Sequence, residues 1–359
     1  MYRPEPIPVS RSAAAIDRGR DWNVSARALD SGEQLLVADL YSTGVNTLAA
    51  LRRLLEGRHL GKRQDFIGER EFRSDFQRAS QNLLAPVASH RLALEKAPEI
   101  GWLSELYGDT ADFLLPFPQI QGLNSSWQWY RRGIDIPVLD RRLFPFYGTY
   151  FPTRFEHLEL FGTWLHHYGG PRGLACDVGT GCGVLAFQLI QADFDRVLAT
   201  DVNPNAVESV RRELDRQPSS GELAVREADL FDADDDEQPE LIVFNPPWLK
   251  GVAHNPIDRA IYCDDTLFER FFEQARSRIA ADGRVVLLFA NLRQAADASA
   301  SHPIQIELGR DDRFELVDRA RAPAHAASAK TRRRKRDPAN EFVELWELAP
   351  RVPSVRPGR

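Results

Sequence analysis

The residues best suited to chemistry lie in a glycine-rich segment at 175–183, with the sequence ACDVGTGCG. This segment contains Asp177, Gly179, Thr180, Gly181 and Gly183. Glycines at alternate positions let a backbone turn tightly and approach a ligand closely, because a Cβ atom would block both. The spacing D-x-G-x-G-x-G differs from the G-x-G-x-x-G fingerprint of dinucleotide sites. The Asp177 carboxylate would also repel a phosphate and attract an ammonium group, so the segment predicts a cofactor that carries an amino group.

Acidic residues also end the next two apolar runs. Asp201 ends the run RVLATD, with Asn203 two residues later, and Asp229 ends LAVREAD, with Leu230 beside it. A carboxylate at the distance of Asp201 from a glycine turn can accept hydrogen bonds from ribose hydroxyls, and Asp229 could accept from the amine of a base. Three carboxylates at three consecutive strand ends indicate a nucleoside joined to an amino acid. S-adenosylmethionine (SAM) fits that description.

A fourth run, ELIVF, is followed by Asn245, Pro246, Pro247 and Trp248. Two successive prolines cannot donate to a strand ladder and hold the backbone extended. The Asn245 side chain and the Pro246 carbonyl can thus present two acceptors to a planar amino group. Trp248 offers a flat face on which a planar substrate can stack. The four residues predict the place where a methyl acceptor binds.

Each of these motifs also has a purely structural interpretation. A glycine turn can serve tight packing alone, an aspartate at a strand end is often a cap, and N-P-P-W can be a strand stop. Their succession along one chain favours the functional interpretation.

Short β-like runs alternate with helical ones from about residue 169. The predicted strands are 173–178, 196–201, 223–229, 240–245, 284–291, 313–320 and 341–348, and the predicted helices lie near 183–192, 204–216 and 266–280. Asn203-Pro204 and Thr266-x-x-Glu269 are typical helix starts. This alternation predicts an α/β fold with a doubly wound, seven-stranded, mainly parallel sheet whose last two strands form an antiparallel hairpin.

The earlier part of the chain has a different pattern. Residues 1–28 are rich in proline, serine and arginine and predict a loosely ordered arm, whereas apolar residues from Leu35 onwards recur at helical spacing. We therefore predict a mostly α-helical domain over 1–125, a β-hairpin adapter over 126–168, the α/β domain over 169–350 and a tail over 351–359.

The motifs together resemble those of class I SAM-dependent methyltransferases of the small-methyltransferase type, with a Rossmann-like fold. The segment Tyr147–Leu160 also resembles the element that precedes the glycine turn in HemK/PrmC-type glutamine methyltransferases. The resemblance implies that Asp177 and the three glycines line the methionine side of SAM, Asp201 the ribose and Asp229 the adenine. It also implies that the residues from Asn245 to Trp248 hold the acceptor nitrogen.

Composition narrows the remaining possibilities. The chain has 359 residues, 43% of them hydrophobic and 27% charged, and a formal net charge of −6, which is the balance of a globular protein and excludes a uniformly basic nucleic-acid binder. Its three cysteines have no metal-binding or disulfide spacing, so no metal is expected. We find no pattern for a signal peptide or a membrane span, which predicts a cytoplasmic protein.

The acceptor and the oligomeric state are left open by the sequence. The first expectation is N-methylation of a protein or peptide glutamine. A second is methylation of an exocyclic amine in RNA, for which the basic run at 330–336, KTRRRKR, would supply phosphate contacts. A small-molecule acceptor is a third, and a SAM-binding scaffold without catalysis is the alternative outside the enzymes.

Overall fold

The computed structural model describes residues 1–59, 66–217, 221–232, 236–250, 262–291, 294, 301–310, 312–324 and 341–351. The chain forms two compact units that divide after Arg131. The basic run at 330–336 and the predicted tail beyond Arg351 lie outside the described residues.

The first unit combines helices with a five-stranded sheet. Its elements are β1 (Ala14–Ile16), α1 (Trp22–Asp30), β2 (Leu35–Val37), α2 (Tyr41–His59), α3 (Phe66–Ser80), β3 (Leu83–Ala88), β4 (Arg91–Leu92), α4 (Trp102–Leu106), β5 (Phe113–Pro116) and α5 (Phe117–Arg132). Strands β1, β2 and β3 are parallel, and β4 and β5 both pair antiparallel with β3. Helices α2 and α5 supply several of the buried apolar residues around this sheet.

The expectation of a mostly helical N-terminal domain is therefore incomplete, because it missed the sheet. Leu35 and Leu83, which we assigned to helical faces, lie in strands β2 and β3 and are fully buried. Strand β2 has three residues, and β3 has six that are mostly buried, so neither shows the alternation of a half-buried strand and their apolar residues resemble part of a helix. The predicted arm is also wrong, since residues 1–28 contain β1 and most of α1, which Asp21 caps by accepting from the Asn23 N–H.

The predicted adapter begins inside a helix. The segment SSWQWYRR, which we assigned to a hairpin, belongs to α5, where Trp127 packs edge-on against Trp102 at 5.1 Å between ring centroids. Aromatic content favours strands in general, but here tertiary packing overrides that preference. The hairpin itself follows as β6 (Ile134–Ile136) and β7 (Arg141–Leu143), and α6 (Glu156–His167) comes after it.

The second unit contains a seven-stranded sheet among its described residues. Its strands are β8 (Leu174–Val178), β9 (Arg196–Asp201), β10 (Glu222–Glu227), β11 (Leu241–Phe244), β14 (Arg284–Ala290), β15 (Phe314–Pro323) and β16 (Phe342–Pro350), in the spatial order β10-β9-β8-β11-β14-β16-β15. The first five are parallel, and β16 runs antiparallel between β14 and the edge strand β15. The short strands β12 (Leu249–Lys250) and β13 (Tyr262–Cys263) pair separately. The predicted doubly wound, mainly parallel fold is confirmed.

Among the described residues, helix α6 packs on this sheet together with α7 (Val184–Gln191), α8 (Pro204–Arg216), α9 (Leu267–Arg278) and α10 (Pro303–Arg310). Helix α8 begins as predicted, because the Asn203 side chain accepts from the Asn205 N–H and Pro204 follows. The predicted capping box at Thr266 does not form. The Thr266 hydroxyl donates to Asp264, and Glu269 pairs with Arg310 instead of reaching back to the helix start.

The parallel strands bring their carboxyl ends to one edge of the sheet. Strand β8 lies between β9 and β11, so the glycine turn, Asp201 and Asn245 follow three adjacent strands. Tertiary structure thus assembles at this edge the residues that the sequence separates by almost 70 positions.

Candidate active site

The glycine turn adopts backbone angles that favour glycine over other residues. Gly179, Gly181 and Gly183 have φ of +68°, +56° and +88°. A Cβ atom on Gly183 would lie 2.9 Å from Cε2 of Phe187 and 3.1 Å from Cγ2 of Val210, and one on Gly181 would lie 3.3 Å from the Tyr150 carbonyl oxygen. Positive φ and close neighbours both require glycine here. The turn predicted from the sequence is therefore present.

Asp177 holds this turn from inside. Its Oδ2 accepts hydrogen bonds from the Thr180 hydroxyl at 2.7 Å and from the Ala186 N–H in the first turn of α7 at 3.0 Å. Its Oδ1 is buried and has no donor among the described residues. Burial raises the pKa of Asp177 to about 7, against the lowering effect of the two hydrogen bonds. The Asp177 side chain is thus more buried than the sequence indicated, and Thr180 is one of its hydrogen-bond donors.

Asp201 joins the glycine turn to the next helix. One carboxylate oxygen accepts from the Gly181 N–H at 2.9 Å, and the other accepts from the Asn203 N–H at 2.8 Å. Burial raises the pKa of Asp201, and these two hydrogen bonds act in the opposite direction. Each carboxylate oxygen has a second lone pair, so both retain capacity to accept from a ribose hydroxyl.

Asp229 and Leu230 follow β10 and differ from each other in exposure. Asp229 is largely exposed and its Oδ2 accepts from the Arg270 guanidinium of α9 at 2.7 Å, a partner that the sequence did not indicate. Leu230 is buried with φ of +70°, an uncommon conformation for a leucine, and its carbonyl accepts from the Thr200 hydroxyl. An adenine amine would share the Asp229 carboxylate with Arg270.

Two of the residues after β11, Asn245 and Trp248, are joined by a hydrogen bond between their side chains. The Trp248 indole N–H donates to Asn245 Oδ1 at 3.1 Å, while Pro246 is buried and Pro247 half-buried. The sequence predicted that Asn245 presents an acceptor to the substrate, and the structure shows one of the two lone pairs of its oxygen engaged by Trp248. We call Asn245 and Trp248 the acceptor pair.

The segment that contains this edge of the sheet is similar to a known protein family. Residues 163–302 match the methyltransferase small domain family. This segment is similar to the methyltransferase small domain, and we call it the methyltransferase domain. The similarity agrees with the class I, SAM-dependent type that the glycine turn implied.

Two curated relatives are similar to part of this domain. The tRNA1(Val) (adenine(37)-N6)-methyltransferase of Pedobacter heparinus is 32% identical over 113 residues, which are 30% of this chain and 48% of that protein. The protein of the same description from Cronobacter sakazakii is 34% identical over 99 residues, which are 26% of this chain and 40% of that protein. The present chain thus spans about half the length, or less, of these relatives.

The solved structures that this chain matches include the ribosomal protein L11 methylase of Lactobacillus delbrueckii subsp. bulgaricus. The match has a TM-score of 0.37 and 19% sequence identity, and it covers 54% of this chain and 77% of that one.

The residues of the methyltransferase domain fit SAM. The free Oδ1 of Asp177 is a buried acceptor that lacks a donor among the described residues, and a buried carboxylate oxygen without a donor suits an ammonium group. The glycines leave space that a Cβ atom would occupy, and Asp201 retains acceptor capacity for hydroxyls. Asp177, Gly179, Gly181 and Asp201 are thus the residues that would hold the methionine and ribose parts.

Asn203 caps α8 as predicted, and its predicted contact with the cofactor stays a prediction. Its side-chain oxygen caps α8, and its Nδ2 donates to the Gly148 carbonyl at 2.9 Å. Asn205 donates to the Tyr147 carbonyl, and the Phe146 N–H donates to the Ser209 hydroxyl. The Asn203 side chain therefore fixes the backbone of the loop at 146–150, which lies beside the glycine turn.

His157 contacts the acceptor pair from outside the matched segment, and the sequence did not single it out. It lies in the first turn of α6, is 2% exposed, and meets Trp248 with ring centroids 5.4 Å apart and planes at 89°. Burial lowers the pKa of His157 to about 4, while nearby Glu156 raises it slightly. The only sequence signal was its place in the segment Tyr147–Leu160.

The described residues contain neither a metal-binding cluster nor a membrane-spanning helix. No group of three or more histidine, cysteine, aspartate or glutamate side chains in this part of the chain is placed to hold a metal ion. No helix within it has both the length and the apolar character that a membrane crossing needs.

Proposed function

We propose that this protein methylates the exocyclic amino group of adenine in RNA, with SAM as the methyl donor. The observation that carries the proposal is the acceptor pair, in which a carboxamide oxygen and an indole ring stand together after β11. An adenine amine is planar and conjugated, and it needs both an acceptor for its N–H and a flat surface for its ring.

The acceptor pair can supply both. Asn245 Oδ1 has one lone pair left after it accepts from Trp248, and a carboxamide oxygen in a half-buried position is a good partner for an N–H donor. The Trp248 ring is half-buried, and stacking of a base on an aromatic side chain contributes about 1 to 3 kcal/mol.

The chain's own residues would act chiefly by positioning. SAM, when bound, supplies an electrophilic methyl carbon on a sulfonium sulfur. Asp177, Asp201 and the glycine turn would orient the donor, and the acceptor pair would orient the amine at about 3 to 3.5 Å from that carbon. As the nitrogen gains positive charge its N–H becomes a stronger donor, so the hydrogen bond to Asn245 strengthens in the transition state. No general base is required, because the proton can leave after attack.

The relatives favour RNA over the glutamine acceptor that we first expected. Both curated relatives described above are named as adenine-N6 methyltransferases of a tRNA. Glutamine also presents a planar amino group, so the acceptor pair alone does not distinguish the two substrates. The proposal therefore rests on the pair for the chemistry and on the relatives for the class of acceptor.

Label transfer tests the proposal. The full chain is incubated with methyl-tritiated SAM and separately with total tRNA, ribosomal RNA and an RNA-free protein extract, and the Asn245→Ala variant is the control in each arm. We expect label in RNA, and N6-methyladenosine after nuclease digestion and mass spectrometry. Label in protein, recovered as methylglutamine, would replace RNA by the glutamine acceptor.

A second measurement asks whether the basic run contributes to RNA binding. Replacing Arg332, Arg333, Arg334 and Arg336 by alanine should weaken RNA binding if these residues contact phosphates. The slope of log K against log salt should then fall by up to about 0.7 for each lost contact on a single strand. An unchanged slope assigns the phosphate contacts to other residues.

A further inference from the structure

We propose that His157 is a positioning residue of the acceptor site, whose ring fixes the orientation of Trp248 and thereby the side-chain conformation of Asn245. This inference rests on the proposed function, because it assigns a role within the same site. It concerns two contacts in series, from His157 to Trp248 and from Trp248 to Asn245.

The first contact is an edge-to-face aromatic pair. The His157 and Trp248 rings are 5.4 Å apart between centroids and almost perpendicular, at 89°. That arrangement is favoured because the positive edge of one ring meets the negative face of the other. His157 is itself held in place by burial in the first turn of α6, so it offers Trp248 a fixed surface.

The second contact, from Trp248 to Asn245, transmits that orientation to the carboxamide that accepts from the substrate amine. The Trp248 indole has a single N–H donor, and it points to Asn245 Oδ1 at 3.1 Å. If Trp248 rotated, this hydrogen bond would break and the Asn245 carboxamide would be free to turn its oxygen away from the amine. Prolines 246 and 247 restrict the backbone between the two residues, which leaves side-chain rotation as the main freedom.

The state of the imidazole agrees with a packing role. Because burial holds its pKa near 4, the ring is neutral at neutral pH and introduces no charge beside the acceptor. Its Nδ1 is buried without a hydrogen-bond partner among the described residues. A ring of similar shape with no polar atom should therefore perform the same task.

The test compares three variants of the full chain. His157→Ala removes the ring, His157→Phe keeps a ring at the same position, and Leu158→Ala removes a buried side chain that packs in the apolar cluster of the second unit next to His157 in sequence. We expect His157→Ala to lower kcat for RNA about tenfold while the Kd for SAM changes less than twofold. His157→Phe should retain kcat within twofold, and Leu158→Ala should lower the melting temperature without lowering kcat.

A spectroscopic measurement does not depend on the acceptor. With 5-fluorotryptophan in place of the seven tryptophans, the ¹⁹F resonance of Trp248 is assigned by its loss in Trp248→Phe. We expect this resonance to shift or broaden in His157→Ala and to remain close to the parent position in His157→Phe and Leu158→Ala.

Each outcome decides the inference. An unchanged Trp248 resonance in His157→Ala would overturn it, whatever the substrate proves to be. An equal loss of kcat in His157→Phe and His157→Ala would also overturn it, because the imidazole nitrogens would then be the functional feature. A shifted resonance with no RNA methylation by the parent protein would support the positioning role and refute the RNA acceptor.

Discussion

The cofactor side of the site depends mainly on backbone conformation, whereas the acceptor side depends on two side chains. On the cofactor side, the backbone of the glycine turn is fixed by three positive φ angles and by buried carboxylates, with Asp177 and Asp201 accepting from main-chain N–H groups. On the acceptor side, the functional atoms belong to the side chains of Asn245 and Trp248, which hold each other by one hydrogen bond. His157 supports this pair from a neighbouring helix.

This difference determines what a substitution should change. Residues of the glycine turn should affect both folding and cofactor binding. The glycine backbone forms the turn, and the Asp177 and Asp201 side chains hold it in place. The acceptor pair is half-buried at the margin of an apolar cluster, against which Trp248 packs, so the loss of either residue should appear chiefly in turnover. Measurements that separate SAM affinity, stability and kcat can therefore test the contrast.

The largest effect should follow from Asn245→Ala. We expect kcat to fall roughly a hundredfold, the order seen when one transition-state hydrogen bond is removed, with the Kd for SAM nearly unchanged. Steady-state kinetics and calorimetry check the two quantities. Trp248→Ala should mainly raise the KM for the acceptor, and a comparable loss of SAM binding in both variants would show that these residues support the fold instead.

Gly183→Ala should affect stability most on the cofactor side. The new Cβ would lie 2.9 Å from Phe187 at a φ of +88°, so we expect a loss of about 2 kcal/mol in the free energy of unfolding. Gly309→Ala in α10 is the matched control, since nothing lies within 4 Å of its Cβ position. It should gain about 0.5 to 1 kcal/mol. Chemical denaturation that ranked the two variants in the opposite order would contradict the assigned turn.

Asp201→Ala should weaken SAM binding about tenfold. The substitution removes the acceptor of the Gly181 and Asn203 N–H groups and the predicted ribose contact, and a hydrogen bond to a charged group contributes about 1.5 to 3 kcal/mol. Asp229→Ala, in which a largely exposed ion pair with Arg270 is lost, should have a smaller effect. Calorimetry on both variants measures this, and equal affinity of Asp201→Ala and the parent would refute the ribose assignment.

The smallest effect is a pH dependence from Asp177. Its pKa is raised to about 7, so below that pH the free protein holds a neutral carboxyl, whereas an ammonium group needs the carboxylate. The α-amino group of a ligand stays protonated up to about pH 7.7. We therefore expect SAM affinity to rise about fivefold from pH 6 to pH 7.

The control for this pH dependence is Asp177→Asn, whose SAM affinity should be constant over the same range. The pH dependence of folding stability has the opposite sign to that of SAM affinity. Because the folded pKa exceeds the unfolded one, the stabilisation from the neutral carboxyl is present near pH 4 and is lost as the pH rises to about 7. A parent affinity independent of pH would place the ammonium group elsewhere.

The sequence succeeded where one local rule determined the structure. Strands β8, β9 and β11 were predicted to within about a residue, since each is an apolar run bounded by turn residues and paired in a buried parallel sheet. The glycines at 179, 181 and 183 were identifiable because only glycine adopts their backbone angles readily. In the first unit, the three-residue strand β2 and the mostly buried strand β3 showed no alternation of apolar and polar residues, so Leu35 and Leu83 were assigned to helices.

By itself, then, the sequence determined the seven strands of the large sheet in chain order, helices α7 to α9, the glycine turn and the residues that follow each strand. These features depend on local backbone chemistry, which is written in neighbouring residues. Only the tertiary structure decided that Asp177 faces inward, that Arg270 pairs with Asp229 and that His157 meets Trp248. Those contacts join residues up to 91 positions apart, and the packing that brings them together depends on the shapes of many side chains at once.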